Sequence, residues 1–218
     1  AFFMLKQLLA ALAFAPVLAF ASAASPVSFQ EGVHYEVVAE KATAKPEVLE
    51  FFSFYCPHCK AFEPFAQNLN KSLPKGVSLT KHHVDFLQVA PPELQQSLAK
   101  AYVVAKNAGQ GDRIADVIFD YLHNQRASFS NEQDIRNLLV VNDIPAMLFD
   151  SGMVSQAVND EVAAMKKSQD HYSEAKVLRG VPTLLVNGKY LVKFSGLSQE
   201  NFQQDLDALV AFLLAKKD

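Results

Sequence analysis

The sequence predicts an α/β domain split by an all-helical insertion of roughly eighty residues. Three observations carry this. A near-continuous apolar run, Val48 to Phe54, reads as a strand buried on both faces and leads into a helix start at Pro57. From Glu93 to about Leu178 the apolar residues recur at helical spacing. Strand character then returns at Thr183 to Val186 and Tyr190 to Val192, joined by Asn187-Gly188, two residues that tolerate positive φ and suit a tight hairpin.

The N-terminus reads as an export signal. Met4 is taken as the start, which leaves Ala1, Phe2 and Phe3 unexplained. Lys6 supplies the positive end, Leu8 to Phe20 is apolar, and Ala21-Ser22-Ala23 fits a small-residue cleavage site. The apolar run is short for a spanning helix, Pro16 interrupts it, and no positive cluster follows. Residues 1–23 are therefore expected to be a signal peptide, with a mature chain from Ala24. Residues 24–90 and 179–218 are expected to form one α/β unit, and residues 91–178 the insertion.

Val33 to Ala39 has strand character, and Lys41 to Pro46 reads as a turn. The helix from Pro57 runs towards Leu73, with a kink expected at Pro64 and an end at Pro74-Lys75-Gly76. Ser78 to Phe86 reads as a strand, and Pro91-Pro92 breaks the pattern. In the insertion, Leu94, Leu98, Ala101, Tyr102 and Ala105 share one helical face, and Ile114, Val117, Ile118, Tyr121 and Leu122 another. Ser130 with Gln133 reads as a capping box, and Val154, Val158, Val162 and Met165 continue at helical spacing. Ser198 is expected to cap a last helix whose Phe202, Leu206, Leu209 and Leu213 face inward.

With half its 218 residues hydrophobic, the chain can bury a sizeable core. Its net charge of −3 comes without a basic block, so nothing points to nucleic acid. Trp is absent and Phe numbers 17, so aromatic packing rests on Phe and Tyr. Cys56 and Cys59 are the two cysteines, so no disulfide framework holds the fold.

A Cys-x-x-Cys pair allows half a zinc site, an inert bridge or a redox centre. Structural zinc needs about four ligands, and none of the six histidines has finger spacing; His82 and His83 are adjacent on a strand and point to opposite faces. A bridge over two intervening residues restrains the unfolded chain little. The helix start favours redox chemistry. Backbone N–H groups of a first turn point at the Cys56 sulfur, and the helix dipole adds positive potential. His58 adds charge or a hydrogen bond when protonated, whereas Cys59 lies one turn inside. Export would place the pair where disulfides persist. No metal or organic cofactor is implied.

The segment from Val48 to Cys59, VLEFFSFYCPHC, closely resembles the active-site segment of the bacterial periplasmic disulfide oxidase family DsbA. Thr80 to Val84, Arg179-Gly180-Val181-Pro182 and Val186 to Tyr190 are similar to the same family, in order along nearly the whole mature chain. The resemblance implies a thioredoxin fold carrying the helical insertion. It implies that Pro182 is a cis-proline packed against the active-site cysteines Cys56 and Cys59, and that the backbone of Val181 meets substrate by strand addition. It also places a buried acid at Glu50, beneath the cysteines, with Lys81 nearby. Glu50 shares a strand face with Val48, Phe52 and Phe54, where a carboxylate is costly unless paired or protonated. His83 shares a strand face with Lys81 and is a lesser candidate, while Glu63 is expected to be a solvated helix residue.

The expected partners are reduced, unfolded exported proteins and, by resemblance, a membrane quinone-linked reoxidant of the DsbB type. The expected location is the periplasm and the expected state a monomer. A disulfide isomerase or reductase of the same fold, or a non-catalytic chaperone for unfolded chains, is the alternative.

Overall fold

The computed structural model describes residues 28–216, so the predicted signal segment lies outside the described residues. Five strands form one mixed sheet in the order β1-β5-β4-β2-β3. They are β1 (Tyr35–Val37), β2 (Val48–Phe52), β3 (Leu79–His83), β4 (Thr183–Val186) and β5 (Tyr190–Val192). β2 and β3 run parallel, which requires a crossover, and α1 (Pro57–Ser72) supplies it. The other pairings are antiparallel. Every residue of β2 is buried, as an apolar run flanked on both sides by other strands requires.

Between β3 and β4 the chain is helical. It forms α2 (Pro92–Asn107), α3 (Gly111–Phe119), a π-helical turn (Asp120–Asn124), α4 (Glu132–Val141), α5 (Ala146–Met153) and α6 (Gln156–Glu174). A short 3-10 turn (Phe194–Gly196) and α7 (Phe202–Ala215) close the chain. One sheet face packs Val48, Leu184, Val186 and Tyr190 against Phe62, Leu69, Leu206 and Leu213 of α1 and α7. The opposite face buries Leu49, Phe51 and Leu185 with Leu178. The largest apolar cluster belongs to the insertion, and Phe52, Phe54, Cys56 and Cys59 join it. The cysteine pair therefore lies at the seam between sheet and insertion.

Several local expectations change. Asn131, not Ser130, caps α4: its side chain accepts from the Asp134 N–H at 3.1 Å, and Asp134 accepts in return from the Ser130 N–H at 2.8 Å. This is a variant of the expected capping box, in which the returning bond reaches the residue before the N-cap and Asp134 stands in the place foreseen for Gln133. Ser198 does not cap α7. The helix starts at Phe202 after Asn201, and Ser198 Oγ accepts from the N–H of Asn201, three residues further on, within the preceding turn. Val154 leaves the helical stripe because Ser155 caps a new helix directly after it, and the valine faces solvent. α1 continues through Pro64, the position where a kink is expected. The hairpin is as expected, with Asn187 and Gly188 both at positive φ.

Candidate active site

Cys56 is the N-cap of α1, in extended backbone (φ −94°, ψ 117°), and Pro57 takes the first helical position. Its Sγ accepts a hydrogen bond from the Cys59 N–H at 3.3 Å. The bond to Cys59, together with the neighbouring backbone N–H groups of His58 and Cys59 and the His58 charge, outweighs burial and pulls the Cys56 thiol down to about 6. Cys59 is fully buried. Burial and the Cys56 interaction push its thiol far up, and the charge of Glu50 adds to this. Two chemically identical side chains one helical turn apart thus have opposite acidities. Pro57 and His58 are exposed.

The Val181–Pro182 peptide is cis, and it approaches the cysteines from the start of β4. The Cys56 thiol donates to the Val181 carbonyl at 3.3 Å. Beside it, a groove of about 710 Å³ runs between α1 and the C-terminal turn, lined by His58, Phe62, Phe65, Pro182, Phe194 and Phe202. The apolar surface next to the cysteines is therefore built from Phe. Met147 is exposed on α5, in the insertion, and does not line this groove.

Under the cysteines, Glu50 in β2 faces Lys81 in β3 across the parallel register, with Lys81 Nζ 3.5 Å from Glu50 Oε2. Burial drives the Glu50 carboxyl up to about 7, against the lowering effect of Lys81. For Lys81, burial works downward, but Glu50 and Glu63 more than offset it, and the ammonium is held in its charged form. Lys81 also lies over the Phe52 ring, 4.7 Å from its centroid.

Glu63 corrects the sequence reading. It is 3% exposed rather than solvated, ion-paired with Lys81, and accepts from Gln67 Nε2 at 3.2 Å. It stands four residues after Cys59, on the same inward helix face, and that spacing is the signal that could have found it. His83 does not join this cluster. Its Nε2 accepts the Phe54 N–H at 3.1 Å, which requires a neutral ring, and burial lowers its pKa to about 3. Sequence reasoning also missed His123, whose Nε2 lies 2.7 Å from the Phe54 carbonyl.

Among the described residues no group of His, Cys, Asp and Glu is arranged to hold a metal ion. Nor is any described helix long and apolar enough to cross a membrane.

Residues 47–207 match the DSBA-like thioredoxin domain. A thiol:disulfide interchange protein DsbA from Pectobacterium carotovorum is 37% identical, over 92% of this chain and 95% of the relative. The DsbA of Escherichia coli K12 is 33% identical, with the same coverage. Among solved structures, DsbA from Klebsiella pneumoniae superposes with a TM-score of 0.74 at 28% identity, covering 87% of this chain and 100% of that one. A Proteus mirabilis DsbA variant carrying a non-covalently bound peptide, PWATCDS, superposes at 0.75 with 26% identity, again over 87% and 100%. A thioredoxin fold with a helical insertion, a Cys-Pro-His-Cys helix start and these relatives agree: the chain belongs to the DSBA-like thioredoxin family.

Proposed function

We propose that this thiol:disulfide oxidoreductase oxidises reduced, unfolded exported proteins by donating its Cys56–Cys59 disulfide. The observation that carries the reading is the split in acidity across the first turn of α1. A disulfide carries no charge, so whatever stabilises the Cys56 thiolate stabilises the reduced state. Each unit by which its pKa lies below ambient pH contributes about 1.4 kcal/mol, or about 30 mV for a two-electron couple. The pair is thereby biased towards giving its disulfide away.

In the reaction, a substrate thiolate attacks Cys56 Sγ. The Cys56–Cys59 bond breaks and Cys59 leaves as a thiolate. Cys59 is buried and a poor anion, so it must take up a proton; Glu50, held near pH 7 beside Lys81, is the group placed to supply it. A second substrate thiolate then attacks the substrate sulfur of the mixed disulfide. Cys56 departs as a stabilised thiolate, a good leaving group, and the substrate carries away a new disulfide. Two electrons have passed from substrate to enzyme.

Val181 and Pro182 would guide the attacking segment, through an extended backbone paired beside Cys56. The Phe-lined groove suits apolar side chains of an unfolded chain. The export signal expected at residues 1–23 supports action in the periplasm. A membrane quinone-linked protein of the DsbB type would reoxidise the pair, and the protein would act as a monomer. The test is Cys56→Ser with a reduced dithiol peptide. Oxidation is expected to vanish, and wild-type turnover would overturn the mechanism. Titration of Cys56–Cys59 against glutathione checks direction: a potential as reducing as a thioredoxin's would favour a reductase.

A further inference from the structure

The turn Ser53-Phe54-Tyr55 joins β2 to α1 and delivers Cys56 to the helix head. Its polar groups are held from four sides. The Ser53 carbonyl accepts from the Cys56 N–H at 3.0 Å, and the Tyr55 N–H donates to Ser53 Oγ at 3.2 Å. The Phe54 N–H donates to His83 at 3.1 Å, and the Phe54 carbonyl meets His123 at 2.7 Å. Three of these contacts come from the α/β unit itself. The fourth comes from the insertion.

A carbonyl only accepts, so His123 Nε2 must be the donor and carry a hydrogen. His83 has the opposite assignment, because its Nε2 accepts. Phe54 therefore has its donor and its acceptor each satisfied by an imidazole, one from β3 and one from the π-helical turn. π-turns are rare within helical structure and recur at functional sites. This one follows directly on Phe119, whose ring packs on Phe54 with centroids 5.0 Å apart. The next residue after His123 also reaches the active-site helix: Asn124 bonds Lys60, the residue following Cys59. Asp120 braces the turn, accepting from Asn124 at 2.6 Å and from Gln125 at 2.8 Å.

We propose that His123 is a positioning residue for the thiol exchange: its Nε2–H holds the Phe54 carbonyl and so fixes the turn that carries Cys56 at the head of α1. The insertion then has a role in the chemistry besides covering the cysteines. The thiolate is stabilised by N–H groups whose alignment depends on where the N-cap sits, and a tether one residue upstream of Tyr55-Cys56 sets that place. This rests on the reading that Cys56 is the exchanging thiol, which Cys56→Ser tests separately.

The experiment compares His123→Leu, which removes the donor, with His123→Gln, which supplies one from a carboxamide. Two quantities are read on each reduced protein: the pH titration of thiolate absorbance and the rate of oxidising a dithiol peptide. In His123→Leu the Cys56 titration should move to higher pH and the rate near neutrality should fall roughly two- to tenfold, the range set by one lost hydrogen bond. His123→Gln should recover most of both. A leucine variant that melts earlier but titrates and reacts like wild type would reduce His123 to a packing residue and overturn the proposal. So would a glutamine variant no better than leucine. Nitrogen NMR of the wild-type imidazole decides the matter without any variant folding: His123 is expected as the Nε2–H tautomer, and a neutral Nδ1–H ring would sink the tether.

Discussion

The outward and inward sides of α1 begin from the same residue type and reach opposite chemistry. Outward, Cys56 stands among backbone N–H groups, beside exposed His58 and an apolar groove, and its sulfur favours the anion. Inward, Cys59 meets full burial and the Glu50–Lys81–Glu63 cluster, and its sulfur favours the thiol. Two residues, Pro57 and His58, separate the two environments. A redox pair needs no unusual side chain for this asymmetry, only a helix end whose backbone N–H groups meet one sulfur while a filled sheet surrounds the other.

The largest effect should come from breaking the inward side. Lys81→Met strips the only cation found between Glu50 and Glu63 among the described ion pairs. Unfolding in urea should show a loss of about 3–5 kcal/mol, the usual result of orphaning a buried charge. The Cys56 thiolate titration should stay near 6, because the contacts that lower it come from Cys59 and His58. A titration that moves with Lys81 would mean the two sides are not independent.

Glu50→Gln should act the other way on stability. It keeps the shape and removes a buried carboxyl that is reluctant to ionise, while Lys81 keeps Glu63 as partner. A gain of about 1 kcal/mol near neutral pH is expected by urea unfolding of the oxidised form. If Glu50 supplies the Cys59 proton, formation of the mixed disulfide should slow in the same variant. An unchanged rate would assign Glu50 to stability alone.

The third comparison uses pH. In the reduced protein a thiol with a lowered folded pKa binds fewer protons folded than unfolded, so stability rises with pH. The contribution from Cys56 is absent below about 6 and complete near the unfolded thiol value of about 8.5. Cys59, raised in the fold, subtracts only above that upper limit. Paired melting curves should therefore show the reduced form gaining on the oxidised form between those limits. A flat difference across the window would contradict the Cys56 acidity.

The smallest effect belongs to His58→Ala. Its charge is the last of the causes lowering the Cys56 pKa, behind the bonds from Cys59. Thiolate absorbance should shift upward by less than about one unit.

Much of the outward side was legible in the sequence. Cys56-Pro57-His58-Cys59 after an apolar run specifies a strand feeding a helix start, and Asn187-Gly188 specifies the β4–β5 hairpin, whereas the roles of Val181 and Pro182 came only with the family resemblance. Those features are local, and their chemistry follows from adjacent residues. The inward side was only half legible. Glu50 stood out as an acid in an apolar strand. Glu63 did not, because an acid in a helix reads as solvated until its partner is known, and Lys81 lies 18 residues away on another element. His123 was harder still. Helical periodicity places Tyr121 and Leu122 on an apolar stripe, but the turn there is π rather than α, which changes the residue facing Phe54.

Cys56 and Cys59 touch each other and no third thiol exists in the chain. That isolation sets a capacity. The oxidised pair can take up two electrons, and refilling it takes an oxidant from outside the pair. Mixed with excess reduced peptide and no external acceptor, the protein behaves as a reagent consumed mole for mole. Sustained throughput would then depend on the oxidant that recharges it, and a rate of disulfide formation measured through this protein would describe the pair, carrier and charger together.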